Sequence, residues 1–187
     1  MNCIATIKDE DFNLKSRPLN NPRIRYGARG IVLDSSGNIA LLNKKMKNEY
    51  KLIGGGIDNN ENAVEAFIRE CLEETGCIVE VDRELGYTEE IKTLDNFKQI
   101  SYVFVAHVVK DTKKTNLTEQ ELKEKSEVVW TNKNNALSLI KNSMTKILPS
   151  EFEGELSVYH SKFIIKRDYE ILKYYLSKMN KGIISYT

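Results

Sequence analysis

Two periodicities alternate along this chain. Tyr26–Asp34 (YGARGIVLD) is rich in β-branched and apolar residues and predicts a strand. Ser35, Ser36 and Gly37 read as a turn. Ile39–Lys44 then returns, so the two runs predict a hairpin. A second turn over Lys45–Asn48 leads to a further strand at Tyr50–Ile53. Asn62–Thr75 changes the period. It carries strong helix formers and no Gly or Pro, and Val64, Phe67, Ile68, Cys71 and Leu72 form an apolar stripe at helical spacing. Gly76 stands where such a helix stops. Cys77–Val81 and Leu85–Ile91 read as extended segments. Gln99–Val109 (QISYVFVAHVV) is the most strand-like run, and its nearly continuous apolar centre predicts a strand covered on both faces.

The second half continues the rhythm. Asp111–Ser126 is a charged loop with room for a short helix, and Glu127–Thr131 (EVVWT) predicts a strand. Asn134–Ile147 sets Leu137, Ile140, Met144 and Ile147 at helical spacing, which predicts a helix across the sheet from the first one. Asp168 reads as an N-cap, followed by Ile171, Leu172, Tyr175, Leu176 and Met179 on one face. That helix is expected to pack on the core. Residues 1 to 25 are polar, carry Pro18 and Pro22, and hold one short strand, Cys3–Lys8. The pattern predicts an α+β protein, a mixed β-sheet sandwiched between α-helices. Its expected organisation is an N-terminal extension over 1–23, one domain over 24–147, and a C-terminal helical extension over 148–187 packed on the same domain.

Composition narrows the function classes. The chain has 187 residues, 41% hydrophobic and 29% charged, enough for one domain with a core. With 28 basic and 27 acidic residues the net charge is +1, so no basic excess points to a nucleic acid duplex or a membrane surface. The N-terminus lacks the apolar core of a secretory signal, and no apolar run approaches the ~20 residues of a membrane span. Cys3, Cys71 and Cys77 are odd in number and lack metal-type spacing, so free thiols in a reducing, cytoplasmic setting are expected. His107 lies in the Gln99–Val109 strand and is expected to pack rather than react.

The candidate chemistry sits in Gly55–Cys77, GGIDNNENAVEAFIRECLEETGC. One helical turn brings Glu70, Glu73 and Glu74 into a single stripe. Like charges at this spacing repel by about 0.2–0.5 kcal/mol per pair. A divalent cation relieves that repulsion, and Mg2+ is suited by carboxylates, waters and phosphate oxygens. Arg69 lies one turn from Glu73 and can also reach Glu61. Gly54, Gly55 and Gly56 let the backbone approach a metal or phosphate closely.

Gly55, Glu61, Arg69, Glu70, Cys71, Glu73, Glu74, Gly76 and Cys77 fill nine specified positions over 23 residues. This resembles the Nudix box, G-x5-E-x7-R-E-U-x-E-E-x-G-U, in which U is bulky and apolar and is here taken by Cys71 and Cys77. The resemblance implies the Nudix fold over roughly residues 24 to 147. It implies an Mg2+-dependent hydrolase, with Mn2+ as the alternative cation, that cleaves a phosphoanhydride in a nucleoside diphosphate linked to another moiety. Glu73 and Glu74 would be the main metal ligands. Glu70 would be a ligand or the base for the attacking water, Arg69 would orient the carboxylates, and the Gly55 carbonyl would complete the coordination. The family commonly adds a downstream glutamate; Glu119, Glu121 and Glu124 are the candidates, with Glu124 favoured. Arg25 and Arg29 are assigned to substrate binding.

The leaving group is left open by the resemblance. The signatures of ADP-ribose, dinucleoside polyphosphate and NADH hydrolases are missing downstream of the box, which leaves a MutT-like nucleoside triphosphate as the default substrate. The expected partner is a small nucleotide, with a homodimer as an option through the C-terminal helix. The rival readings are a non-catalytic nucleotide-sensing module and an isoprenoid diphosphate isomerase of the same fold.

Overall fold

The computed structural model describes residues 1–150 and 154–180. Seven strands form one mixed sheet: β1 (Cys3–Lys8), β2 (Arg23–Leu33), β3 (Ile39–Lys44), β4 (Glu49–Gly56), β5 (Cys77–Lys92), β6 (Phe97–Asp111) and β7 (Ser126–Thr131). Their spatial order is β1-β5-β6-β2-β4-β3-β7. Four helices flank it: α1 (Ala63–Thr75), α2 (Glu119–Lys123), α3 (Lys133–Ser143) and α4 (Ser157–Asn180).

Alternation along the strands sorts the side chains into two cores. On one face Ala28, Val32, Ala40, Leu42, Ile53, Phe104 and Ala106 meet Ala66, Phe67 and Cys71 of α1. On the other, Ile31, Leu33, Ile39, Leu41, Leu52, Val103 and Val105 meet Ala136 and Ile140 of α3 and Ile165, Ile171, Leu172 and Tyr175 of α4. The sheet is therefore covered on both sides, with α1 opposite α3 and α4.

Three expectations change. The hairpin of β2 and β3 opens directly after its turn, where Leu33 pairs with Ile39. β4 then inserts between them, pairing with β2 from Gly27–Gly56 to Gly30–Ile53 and with β3 from Leu41–Leu52 to Lys44–Glu49. All six residues of β3 are buried, and a strand buried on both faces belongs inside a sheet, here between β4 and β7. Second, the two extended segments after α1 are one strand, β5. The polar Asp82-Arg83-Glu84 stretch marks register shifts against β6 and not a break.

Third, the last helix starts eleven residues before Asp168. Tyr159 and Phe163 already pack against Ile7 of β1, which extends the helix upstream. Asp168 is fully buried and accepts from the Leu52 amide at 2.8 Å and from Arg167 Nε at 2.7 Å. It caps a strand amide, not a helix. The N-terminal segment is also built in. β1 runs parallel to β5 at the sheet edge, and buried Asp9 accepts from Tyr159 Oη at 2.7 Å and bonds Thr93.

The parallel contact of β2 with β6 runs through eleven residue pairs, Arg23–Phe97 to Leu33–His107. Gly30 faces Phe104 in it, and a Cβ there would lie 2.0 Å from the Phe104 carbonyl oxygen. Backbone cannot yield as a side-chain tip can. Gly30→Ala is expected to cost at least about 3 kcal/mol, the upper end of ordinary overpacking, read as a lower urea midpoint. A change below about 0.5 kcal/mol, the scatter of neutral surface substitutions, would contradict this account of the strand pair.

Candidate active site

α1 is pinned at both ends, and this fixes where its carboxylates stand. The Asn62 side chain accepts from the amides of Val64 and Glu65, at 2.9 and 3.0 Å, while Glu65 reaches back to the Asn62 amide at 2.8 Å. Gly76 closes the helix at φ +72°, with its amide on the Leu72 carbonyl. Cys71 and Cys77 are free thiols buried in the apolar positions of the motif, and burial pushes both upward in pKa.

Arg69 is the centre of the site. Its Nε donates to Glu61 Oε2 at 3.0 Å, and Nη2 donates to Glu61 Oε1 at 2.7 Å and to the Gly56 carbonyl at 3.0 Å. Nη1 donates to Glu70 Oε1 and Glu73 Oε2, each at 2.9 Å. All five guanidinium N–H groups are used. Hydrogen bonding to Glu61 is the main reason that Arg69 is held still more firmly charged, and Arg69 in turn holds Glu61 below the usual carboxylate range.

The glycines end β4 instead of forming a separate loop. A Cβ on Gly55 would lie 2.3 Å from Glu70 Oε1, so that carboxylate rests directly on the bare backbone. The amide of Gly54, a residue at φ +136°, donates to Glu74 Oε2 at 2.9 Å. The other Glu74 oxygen accepts from Lys51 Nζ at 2.6 Å, and Lys51 also donates to the Gly54 carbonyl at 3.2 Å. Glu74 is only 2% exposed. Burial pushes it up to about 7, with the Lys51 ammonium pulling the other way.

These residues open onto a cleft of about 650 Å3. Glu70, Glu73, Glu74 and Arg69 line it, together with Arg29, Lys92 and Arg167. Arg25 lies exposed at the rim, its guanidinium 2.5 Å from where a Gly56 Cβ would stand. Arg29 is buried within.

Of the downstream glutamates, the favoured Glu124 does not line the cleft. Glu124 is fully buried, paired with Lys44 Nζ at 2.9 Å and accepting from Ser150 Oγ at 3.1 Å. Glu121 lines the cleft in its stead. Thr118 caps α2 and exchanges hydrogen bonds with Glu121. The Thr-x-x-Glu spacing was the available signal for that geometry. Glu119 is exposed, in an ion pair with Lys123. His107 is half-exposed, with Nδ1 2.7 Å from Asp82; it lines another cavity, with the 34–38 turn. Reading the sequence missed Lys51 and Arg167, whose partners lie 23 and 77 residues away.

The donor set fits a hard divalent cation in kind. Arg69 takes one oxygen of Glu70 and one of Glu73, which leaves Glu70 Oε2 and Glu73 Oε1 for a metal. The Gly55 carbonyl borders the space over Gly27, 2.7 Å from where a Cβ would stand. Among the described residues no three His, Cys, Asp or Glu side chains already converge on one point. Two of the glutamates are drawn to Arg69 and the third to Lys51.

A mixed sheet between helices, with a capped glutamate helix set against a glycine strand, defines a Nudix-type α+β protein. The NUDIX domain profile matches residues 23–150, and the chain belongs to that family. A Bacillus subtilis (strain 168) protein named "Putative 8-oxo-dGTP diphosphatase" is 39% identical over 69 residues, 37% of this chain and 46% of the relative. The match thus spans less than half of that relative's length. Three solved structures share the fold. The E. coli ORF135 protein has TM-score 0.53 and 15% identity, covering 90% of this chain and 100% of its own. A UDP-X diphosphatase has TM-score 0.53 and 16% identity, with 90% and 68% coverage. A NUDIX hydrolase from Nitrosomonas europaea has TM-score 0.54 and 14% identity, with 88% and 98% coverage. Among the described residues no helix is long and apolar enough to cross a membrane.

Lys51→Met leaves Glu74 buried without its counter-charge. Breaking a buried pair in this way costs about 3–5 kcal/mol, and the cost depends on pH in a defined sense. The folded carboxyl titrates at about 7 or higher, above its ordinary 4.5. The variant is therefore most stable below the ordinary value and loses stability as pH rises through the folded one. Urea unfolding at about pH 5 and about pH 8 should show the larger deficit at the higher pH. Equal deficits would rule out Glu74 as the origin.

Proposed function

We propose that this chain is a divalent-cation-dependent hydrolase of a phosphoanhydride in a nucleoside diphosphate linked to a further group. The observation that carries the reading is the Arg69 fork. It holds Glu61, Glu70 and Glu73 beside the glycine backbone, in a cleft whose wall also carries arginines and lysines. Acidic and basic groups along one cleft suit a diphosphate that bridges a cation at one end and arginines at the other.

Mg2+, or Mn2+ in its place, would be held by Glu73 and the Gly55 carbonyl and would neutralise phosphate charge and acidify a water. Arg69 is a positioning residue, because its fork sets the direction of two carboxylates at once. Glu70, resting on Gly55, is our candidate for the group that takes the proton from water. Glu74, tied to Lys51 and the Gly54 amide, fixes the helix against β4 and stands ready as a further ligand. Glu121 supplies the downstream carboxylate. Arg25 at the rim and Arg29 inside take phosphate oxygens.

The name of the Bacillus subtilis relative puts nucleoside triphosphates, oxidised ones included, first among substrates to test. Nucleotide sugars, ADP-ribose and dinucleoside polyphosphates complete the panel. With Mg2+ present and products resolved by chromatography, one class is expected to turn over and Glu73→Gln to abolish it. Arg69→Lys keeps the charge and loses the fork; a fall of about 10–100-fold is expected for a residue that orients ligands. No turnover of any class, with nucleotide still bound, would favour the non-catalytic sensing module instead.

A further inference from the structure

The charge balance inside the cleft points to a second polar site. Arg29 is 4% exposed, yet among the described residues its guanidinium has no hydrogen bond or ion pair, and its Nε is buried with no partner. Arg167, 1% exposed, spends Nε on Asp168 and Nη1 on Glu90 at 3.1 Å, while its Nη2 is also buried with no partner. Lys92 Nζ donates to the other Glu90 oxygen at 3.2 Å. Three buried cations thus draw chiefly on two buried carboxylates, Glu90 and Asp168, with Glu74, already paired with Lys51, acting less strongly on Arg29. Both arginines line the cleft. An unpaired buried guanidinium is costly unless an anion completes it.

Gly27 keeps space open beside Arg29. A Cβ there would stand 2.7 Å from the Gly55 carbonyl oxygen, 3.2 Å from Arg29 Nη2 and 3.5 Å from Gln99 Nε2. The arginine site and the candidate metal site therefore border one small space. Burial, and next the neighbouring Arg167 charge, pull Arg29 down to about 10, so it remains charged at neutral pH.

We propose that Arg29 and Arg167 form an anion subsite for a third anionic group of the substrate, a phosphate beyond the two that meet the carboxylate end. This rests on the hydrolase reading and narrows it, because a triphosphate carries such a group and a nucleoside diphosphate joined to a neutral sugar does not. Arg167 reaches the cleft from α4, outside the matched domain at 23–150.

The test separates binding from turnover. Tripolyphosphate is titrated into the full chain in excess EDTA, followed by calorimetry and by the arginine Nε–Hε resonances. Binding with shifts at Arg29 and Arg167 is expected. Arg29→Lys and Arg167→Lys keep the charge and lose the second donor, and each should weaken binding about ten- to a hundredfold, the worth of one charged hydrogen bond. The same variants should lower kcat/KM for a nucleoside triphosphate far more than for a nucleotide sugar. Should Arg167→Lys fail to fold, the wild-type resonances and Arg29→Lys decide. Absence of binding, binding that leaves both arginine resonances unmoved, or an equal loss on both substrates would overturn the proposal. Because the titration needs no catalysis, its failure is distinguishable from a failure of the hydrolase reading.

Discussion

The fork of Arg69 is the interaction on which the site depends. Without it, Glu61, Glu70 and Glu73 are three negative groups held close together by a rigid helix and its entry loop. Five donors in one plane satisfy them and the Gly56 carbonyl together. A lysine has three donors on one point and cannot span the same set. The geometry of β4 follows from this. Glu70 turned toward Arg69 occupies the volume over Gly55, so any side chain at that position would displace the carboxylate. The capping box at Asn62 and the left-handed Gly76 serve the same end, because a helix free to slide by one residue would turn each glutamate by about 100°.

A second set of charges is buried in the fold and reaches the cleft wall at Lys92 and Arg167, and its energetics differ. Glu49, Lys47, Glu90, Lys92, Arg167 and Asp168 are all nearly inaccessible to solvent. Buried ion pairs seldom stabilise a protein more than apolar packing of the same shape would. Their value here is positional. Asp168 binds the Leu52 amide two residues before Gly54, and Arg167 binds Glu90 of β5. Consecutive residues of α4 therefore grip two strands that are not neighbours. An apolar helix face could slide over the sheet at little cost; this one has a single register.

What the sequence made legible was local. The box spacing lies within one helix and its two caps, so the placement of Glu70, Glu73 and Glu74 relative to Arg69 follows from helical geometry. Coverage of the sheet on both sides was legible too, since the nearly continuous apolar centre of Gln99–Val109 is a local property. Three things were not. Whether β3 pairs with β2 or admits β4 depends on a strand further on. Asp168 looks like a helix start, because an acidic residue before an apolar run is the same text whether it caps a helix amide or a strand amide. Glu124 and Glu121 differ by three residues in a charged loop, and the partners that hold Glu124 inward, Lys44 and Ser150, lie far from it in the chain.

The cleft itself illustrates the limit in physical terms. Glu70, Glu73 and Glu74 come from a single 23-residue segment, while Arg29, Gln99 and Arg167 come from two strands and a helix up to 138 residues apart. Each is individually unremarkable text, an arginine between small residues, a glutamine in a strand, an arginine on a helix. Their meaning appears when folding buries them together and withholds the partners that such groups demand. A sequence motif is legible when the backbone alone enforces its geometry. The arginine wall has no such backbone of its own and exists only because α4 docks in one register.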